Sequence, residues 1–121
     1  MLNERIAEFV RVADEKSVQD WGSRGYTFSK PPQHRADYIS AKWCRVVVME
    51  ERNGVYASAS VYAFIALQDY STKALGAGRA GDIMKPATYK APAKHARGNV
   101  FDMDFEKCLT SYGPVYLKRG A

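Results

Sequence analysis

Residues 43–67 read WCRVVVMEERNGVYASASVYAFIAL, two runs of β-branched and aromatic residues joined by a short polar link. Such residues favour strands, and the Asn53-Gly54 dipeptide in the link tolerates the positive φ angles of a tight β-turn. We therefore predict an antiparallel hairpin with one strand between Tyr38 and Met49 and the other between Val55 and Leu67.

Side chains alternate along the second strand, because successive residues of a strand point to opposite faces of a sheet. One face carries Val55, Ala57, Ala59, Val61, Ala63, Ile65 and Leu67. The other face carries Tyr56, Ser58, Ser60, Tyr62 and Phe64. We predict that the first face lies in the core, where its small alanines let a helix approach closely.

The N-terminal segment, from Leu2 to Val18, is predicted to be that helix. Its apolar residues recur at three- and four-residue steps with charged residues between them, which is typical of an amphipathic helix. These apolar residues are Leu2, Ile6, Phe9, Val10 and Ala13. Asn3 is the predicted N-cap, and Gly22 and Gly25 are the predicted end.

The segments on either side of the hairpin are less regular. Tyr26–Ser29 is predicted to be a short strand that Pro31-Pro32 ends, and a polar loop through His34 is expected after it. Residues 68–81 are rich in Ser, Thr, Gly and Ala and predict a long flexible loop. Asp82–Thr88 is a further short strand, irregular or at an edge because of Pro86.

A short C-terminal helix is predicted at the end of the chain. Phe105, Cys108, Leu109 and Tyr112 follow helical spacing, with Asp104 as the N-cap and Gly113-Pro114 as the stop signal. The sequence as a whole predicts an α+β fold, in which the N-terminal amphipathic helix packs on a curved antiparallel sheet of about four or five strands.

Length and composition indicate one domain over residues 1–121. With 46% hydrophobic residues, the 121-residue chain can bury a core without metal or disulfide support. Cys44 and Cys108 lie far apart and outside any Cys-x-x-Cys pair, so we expect both to be reduced, buried, small apolar residues.

The sequence is basic, and one segment concentrates the charge. Lys and Arg number 18 against 13 Asp and Glu, a net charge of +5, which favours an anionic partner. Residues 85–98, KPATYKAPAKHARG, contain four basic residues, one histidine and no acid. We call them the basic loop. Lys and Arg neutralise phosphates and an exposed aromatic ring can stack on a base, so we predict nucleic-acid contacts at Lys85, Tyr89, Lys90, Lys94, His95 and Arg97.

A second basic group surrounds His34 and Trp43 and consists of Lys30, Arg35, Lys42 and Arg45. It would extend the same binding surface if the fold brought the two groups together. The alternative for both groups is ordinary solvated surface charge, and the sequence leaves this choice open.

Signals for enzymatic chemistry are weak. The GAGRAG pattern at 76–81 matches a dinucleotide-binding fingerprint in letters only, because no long helix follows it, so we expect no cofactor. Asp82, Asp102 and Asp104 are too scattered for a metal site. His34 and His95 could cleave RNA by acid–base catalysis only if something oriented them, and no pattern does. We therefore predict a non-enzymatic protein, with a small nuclease as the minor alternative.

We predict no targeting signal in this sequence. Residues 1–10 lack the apolar run of a signal peptide, and the longest weakly polar stretch, 55–67, is far short of the ~20 residues that cross a membrane. We expect a cytoplasmic protein without a membrane segment.

Residues 81–94 resemble a segment of small, functionally unassigned proteins of tailed bacteriophages, of the form GDIxKPAxxKAPAK. The resemblance extends from Val61 to Val100, about a third of the chain. It implies the end of a β-hairpin, a phage origin and action in the host cytoplasm. It supplies no catalytic residues.

Together these features predict a non-enzymatic, phage-encoded accessory protein that binds the phosphates of DNA or RNA through the basic loop. The alternative is a protein-interaction module, such as a phage inhibitor of a host or defence protein, or a small structural protein. That module would use the same loop against an acidic protein surface.

Overall fold

A computed structural model describes residues 1–25 and 30–115. An N-terminal helix, α1, spans Leu2–Ser23. The strands are β1 (Gln33–Tyr38), β2 (Trp43–Arg52), β3 (Val55–Ala66), β4 (Tyr70–Thr72), β5 (Gly76–Gly78), β6 (Asp82–Met84), β7 (Gly98–Asn99), β8 (Leu109–Thr110) and β9 (Gly113–Pro114). The strand predicted at Tyr26–Ser29 lies outside the described residues.

The main sheet is antiparallel and has five strands in the order β1-β2-β3-β6-β7. The predicted hairpin is confirmed: β2 pairs with β3 from Trp43↔Ala66 to Arg52↔Val55. Its first strand begins at Trp43 rather than at Tyr38, which belongs to β1. Asn53 and Gly54 have φ angles of 54° and 81°, the left-handed conformation that a tight hairpin turn requires. The α+β class and the strand number are therefore as predicted.

Two β-bulges in β3 change the predicted alternation. Val46 pairs with Ala63 but Val47 with Val61, so Tyr62 is an extra residue, and Ala59 is extra in the same way between Ser60 and Ser58. Each bulge shifts the faces by one residue. Ala63 lies in the core as predicted, whereas Tyr62 joins it there unexpectedly. The prediction is wrong for Val55, Ala57 and Ala59, which are exposed.

Helix α1 packs one side on the sheet through Ile6, Phe9, Val12 and Ala13. The Phe9 ring meets Tyr62 edge-on, with centroids 5.9 Å apart. The predicted N-cap at Asn3 is wrong, because the helix begins at Leu2 and Met1 is its N-cap, without a side-chain cap bond. Among the described residues, no helix has the length and apolar character to cross a membrane.

The flexible loop predicted for residues 68–81 is instead a small hairpin of β4 and β5. It places the Tyr70 ring against Trp43, at 5.3 Å between centroids, and the Tyr70 hydroxyl donates to Asp82 Oδ2 at 2.9 Å. A Cβ on Gly78 would lie 2.1 Å from Tyr70 Cζ, so this ring needs glycine opposite it. The hairpin covers the face of the sheet opposite α1, which we call the outer face.

The predicted C-terminal helix is only one 3-10 turn, Phe105–Cys108, and Asp104 makes no side-chain cap bond. Phe105 stacks on Phe9 with centroids 6.0 Å apart, and the chain then turns extended so that Leu109 enters the core. The β8–β9 turn is tied to the sheet by the Tyr62 hydroxyl, which donates to Thr110 O at 2.5 Å. Packing thus ends the helix after one turn.

Candidate nucleic-acid interface

The basic loop connects the neighbouring antiparallel strands β6 and β7. Its backbone is held by bonds from Ala93 N to Lys85 O and from Arg97 N to Ile83 O, each 2.7 Å long. Pro86 bridges Pro92, so the strand predicted over Asp82–Thr88 ends early, at Met84, and becomes irregular at the proline as expected. The loop therefore presents its side chains from a defined backbone.

Tyr89 lies at the tip of the loop against Arg45 of β2. The Arg45 guanidinium carbon is 4.2 Å from the centroid of the Tyr89 ring, and Arg45 Nη1 donates to Tyr89 O at 3.2 Å. Such a cation–π contact orients the ring. Tyr89 nevertheless stays 51% exposed, so much of the ring is accessible to a planar ligand.

Arg35 joins this group from β1. Asp37, which pairs with Arg45 across the two strands, binds Arg35 through two bonds of 2.8 and 3.0 Å. Asp37 raises the pKa of Arg35, and the nearby Tyr89 adds a smaller contribution. The two basic groups predicted from the sequence therefore meet at these residues. We call Arg35, Arg45, Tyr89 and the neighbouring Lys90 the Tyr89 surface.

Two members of the second basic group lie elsewhere. Lys30 borders a small cavity of about 170 Å³ with Trp21 and Glu50, on the α1 side of the sheet. Lys42 is exposed in the turn before β2, where its carbonyl accepts a bond from Leu67 N at 2.8 Å. Only Arg35 and Arg45 of that group adjoin the basic loop.

Lys85 and Arg97 hold the base of the loop to the C-terminal segment. Lys85 Nζ donates to Pro114 O at 2.6 Å, and Arg97 Nε donates to Val115 O at 3.1 Å. Burial lowers the pKa of Lys85, and the charge of Arg97 adds to that effect. Lys90, Lys94 and His95 are exposed. Of the loop cations, Lys90 and Lys94 are therefore the ones most accessible to a ligand.

The two histidines occupy different environments. The prediction of a polar loop at His34 is wrong, because this residue lies in β1 with a side chain only 1% exposed. Its backbone N and ring Nδ1 both bind Asp14 Oδ1, at 2.7 and 2.8 Å. His95 is exposed in the loop with a φ of 75°. The sequence offered no signal for the Asp14 contact, since 20 residues separate the partners.

Both cysteines are unpaired thiols; Cys44 is buried, as predicted, and Cys108 is half-buried. Burial raises the pKa of Cys44 to about 12 and that of Cys108 to about 11. Because the thiolate is the reactive form, neither side chain is activated as a nucleophile near neutral pH.

A cavity of about 450 Å³ lies on the α1 side, between the end of the helix and the β8–β9 turn. Its walls include Trp21, Tyr112 and the carboxylates of Asp20 and Glu50, and Asp20 is paired with Arg24 at 3.0 Å. Within residues 1–25 and 30–115, no three His, Cys, Asp or Glu side chains form a cluster that could hold a metal ion.

The outer face, opposite this cavity, carries the Tyr89 ring that contacts Arg45, and the exposed Lys90 and Lys94 lie in the same loop. Comparisons of the chain with protein-family models, with curated proteins and with solved structures gave no match.

Proposed function

We propose that the protein binds single-stranded nucleic acid through the Tyr89 surface, as a non-enzymatic accessory protein. The observation that carries this proposal is the half-exposed Tyr89 ring held on the Arg45 guanidinium. An aromatic ring fixed in this way is a platform for an unpaired base, and such stacking contributes about 1–3 kcal/mol per base.

Cations beside the ring suit the phosphates on either side of a stacked base. Lys90 follows Tyr89 directly and Lys94 is exposed further along the loop, whereas Arg35 is already paired with Asp37. Contacts of this kind neutralise phosphates and carry no sequence information. We therefore propose binding with little sequence preference, to DNA or RNA.

The phage origin implied by the resemblance of residues 81–94 is part of the same proposal. A phage protein that binds single strands would act in the host cytoplasm, where replication and transcription expose them. The alternative partner, an acidic protein surface, would use Lys90 and Lys94 equally well but has no need of a stacking ring.

Fluorescence anisotropy with labelled oligo-dT and oligo-U, titrated at several salt concentrations, tests the proposal. Two phosphate contacts, at Lys90 and Lys94, predict a slope of log affinity against log salt of about −1.4 on single strands. Tyr89→Ala should weaken binding by about 5- to 150-fold, while Tyr89→Phe keeps the ring and should bind like the wild type.

Tyr112→Ala is the matched control, because Tyr112 is also exposed, at 72%, and also contacts an arginine, with Arg24 Cζ 5.4 Å from its centroid. It lies beside the α1-side cavity and should not affect binding. Equal losses in Tyr89→Ala and Tyr112→Ala would contradict the assignment. No binding at low salt would favour the protein-interaction module, and shortening of the oligonucleotide would favour the nuclease.

A further inference from the structure

Strand β1 forms one edge of the main sheet and reads QHRADY. Within residues 1–25 and 30–115, no strand pairs with its outer side. The residues that end this edge, Tyr38 and Ile39, are 52% and 41% exposed. An edge strand presents a row of unpaired N–H and C=O groups, which is a template for pairing with another strand.

The backbone groups that point outward can be identified from one hydrogen bond. His34 N donates to Asp14 Oδ1 rather than to β2, so the N–H of His34 faces the outer side of the strand. Because donors alternate along an antiparallel strand, the N–H and C=O groups of Ala36 and Tyr38 face the same side. The His34 N–H is already bound to Asp14, so an antiparallel neighbour centred on Ala36 would bond to the N–H and C=O of Ala36, the N–H of Tyr38 and the C=O of His34.

We propose that this neighbour is β1 of a second copy of the chain. With Ala36 opposite Ala36 of the second copy, Arg35 lies opposite Asp37 of the second copy, and Asp37 lies opposite its Arg35. Pairs of this kind, at positions without mutual backbone bonds, have Cβ atoms about 4.5–5.5 Å apart, which allows their charges to meet. The strand is thus complementary in charge to itself.

The charge pattern is already visible within one chain. Arg35 and Asp37 bind each other through two bonds on the outer face, so the paired strands would alternate Arg and Asp in a four-residue network. The same register places Tyr38 opposite His34 of the second copy and Ile39 opposite its Gln33. It therefore brings both exposed apolar residues next to the second copy.

This pairing joins two five-stranded sheets into one of ten strands. The two-fold axis is perpendicular to the sheet, so both α1 helices lie on one side and both Tyr89 surfaces lie on the other. The dimer would therefore carry two copies of the Tyr89 surface on one continuous face. The inference itself depends only on β1 and stands whether or not nucleic acid is the ligand.

The test is the molar mass of the nuclease-treated protein, measured by light scattering coupled to size-exclusion chromatography. The wild type should have twice the chain mass of 13.6 kDa. Asp37→Arg places arginines opposite each other and Arg35→Asp places aspartates opposite each other, so each variant should be a monomer. Lys73→Asp, in the exposed turn between β4 and β5, is the charge-change control and should remain a dimer.

An equimolar mixture of the Asp37→Arg and Arg35→Asp variants should form a heterodimer, because each arginine then faces an aspartate. This restoration shows that both variants are folded and that the charges act across the interface. A monomeric wild type at the highest soluble concentration would overturn the inference. So would single variants that remain dimeric, or a mixture that stays monomeric.

Discussion

The imidazole side chain of His34 is almost completely buried in the folded protein. Burial lowers the pKa of His34 from its usual 6.5, and the hydrogen bond and charge of Asp14 oppose that change only in part. The edge of its ring lies against Tyr62, with centroids 4.5 Å apart, and within the described part of the chain Nε2 has no hydrogen-bond partner. The neutral ring, with Nδ1–H donating to Asp14, fits this environment better than the charged one.

The pH dependence of stability follows from that shift. As the pH falls through 6.5, the unfolded chain takes up a proton at His34 before the folded chain does, so acid favours unfolding. Above pH 6.5 the lowered pKa of His34 does not reduce the free energy of unfolding, and below this pH it does. We expect the free energy of unfolding, measured with urea, to decrease between about pH 7.5 and about pH 5.5.

The His34→Gln variant isolates this effect. It should be less stable at every pH, because the buried contact with Asp14 changes, but its stability should vary less over the same interval. A pH dependence as steep as that of the wild type would assign the effect to another group.

At the scale of the elements, the bulges in β3 determine which alanine faces the helix. Ala63 is fully buried in the core cluster, whereas Ala59 is exposed at the second bulge. A larger side chain at a packed position forces neighbours from their preferred conformations. The same change at an exposed bulge meets solvent.

We therefore expect Ala63→Leu to lower the free energy of unfolding by about 1–3 kcal/mol and Ala59→Leu to have little effect. Chemical denaturation of both variants provides the comparison. Similar losses at the two sites would mean that β3 alternates regularly and that its bulges are absent in solution.

Local signals account for the elements that could be predicted from the sequence. The β2–β3 hairpin has a turn dipeptide between two long strands, and α1 has several turns of apolar periodicity. The bulges at Tyr62 and Ala59 could not be predicted from the sequence. In VYASASVYAF, small and large side chains can occupy either face of the strand, so the pattern does not indicate where the register shifts. Strands β4 and β5 have three residues each, too few to show a period.

The predicted C-terminal helix shows how tertiary packing can override helical spacing. Phe105, Cys108 and Leu109 do have helical spacing, but the stacking of Phe105 on Phe9 and the burial of Leu109 favour one 3-10 turn and an extended exit. These partners lie at the opposite end of the sequence. A local pattern therefore could not have indicated them.

For the whole molecule, one core connects α1, the main sheet and the 3-10 turn. The buried cluster includes Phe9 of the helix, Val46 and Ile65 of the hairpin, Ile83 of β6 and Phe105 of the turn. A single core of this kind favours unfolding in one cooperative step.

We expect the thermal transitions followed by far-ultraviolet circular dichroism and by tryptophan fluorescence to coincide. In a Trp21→Phe variant the fluorescence reports Trp43 alone, on the outer face against Tyr70 and Phe64, while circular dichroism reports α1 and the sheet. A fluorescence transition at lower temperature would show that the outer face melts before the core.

The candidate interface could be predicted only in part from the sequence, because contacts between residues far apart along the chain could not be predicted. The basic loop is visible as a run of cations without acids. The contact that organises it, Arg45 on Tyr89, joins residues 44 positions apart, and the sequence left open whether they meet. The hydrogen bonds of Lys85 and Arg97 to backbone carbonyls could not be predicted from the sequence either. Every residue has a carbonyl group, so the sequence does not indicate which one accepts the bond.

Two of the arginines that the structure describes, Arg5 and Arg97, donate across the chain to backbone carbonyls, as Arg45 does to Tyr89 O. Arg5 donates to Val100 O at 2.6 Å and to Asp102 O at 3.3 Å, and Arg97 donates to Val115 O. A carboxylate partner would cancel the charge of each guanidinium, whereas a carbonyl leaves the full unit charge in place. The electrostatic potential around the protein therefore includes these two fixed cations, and at low ionic strength it reaches about 30 Å into the solvent, far beyond any side chain.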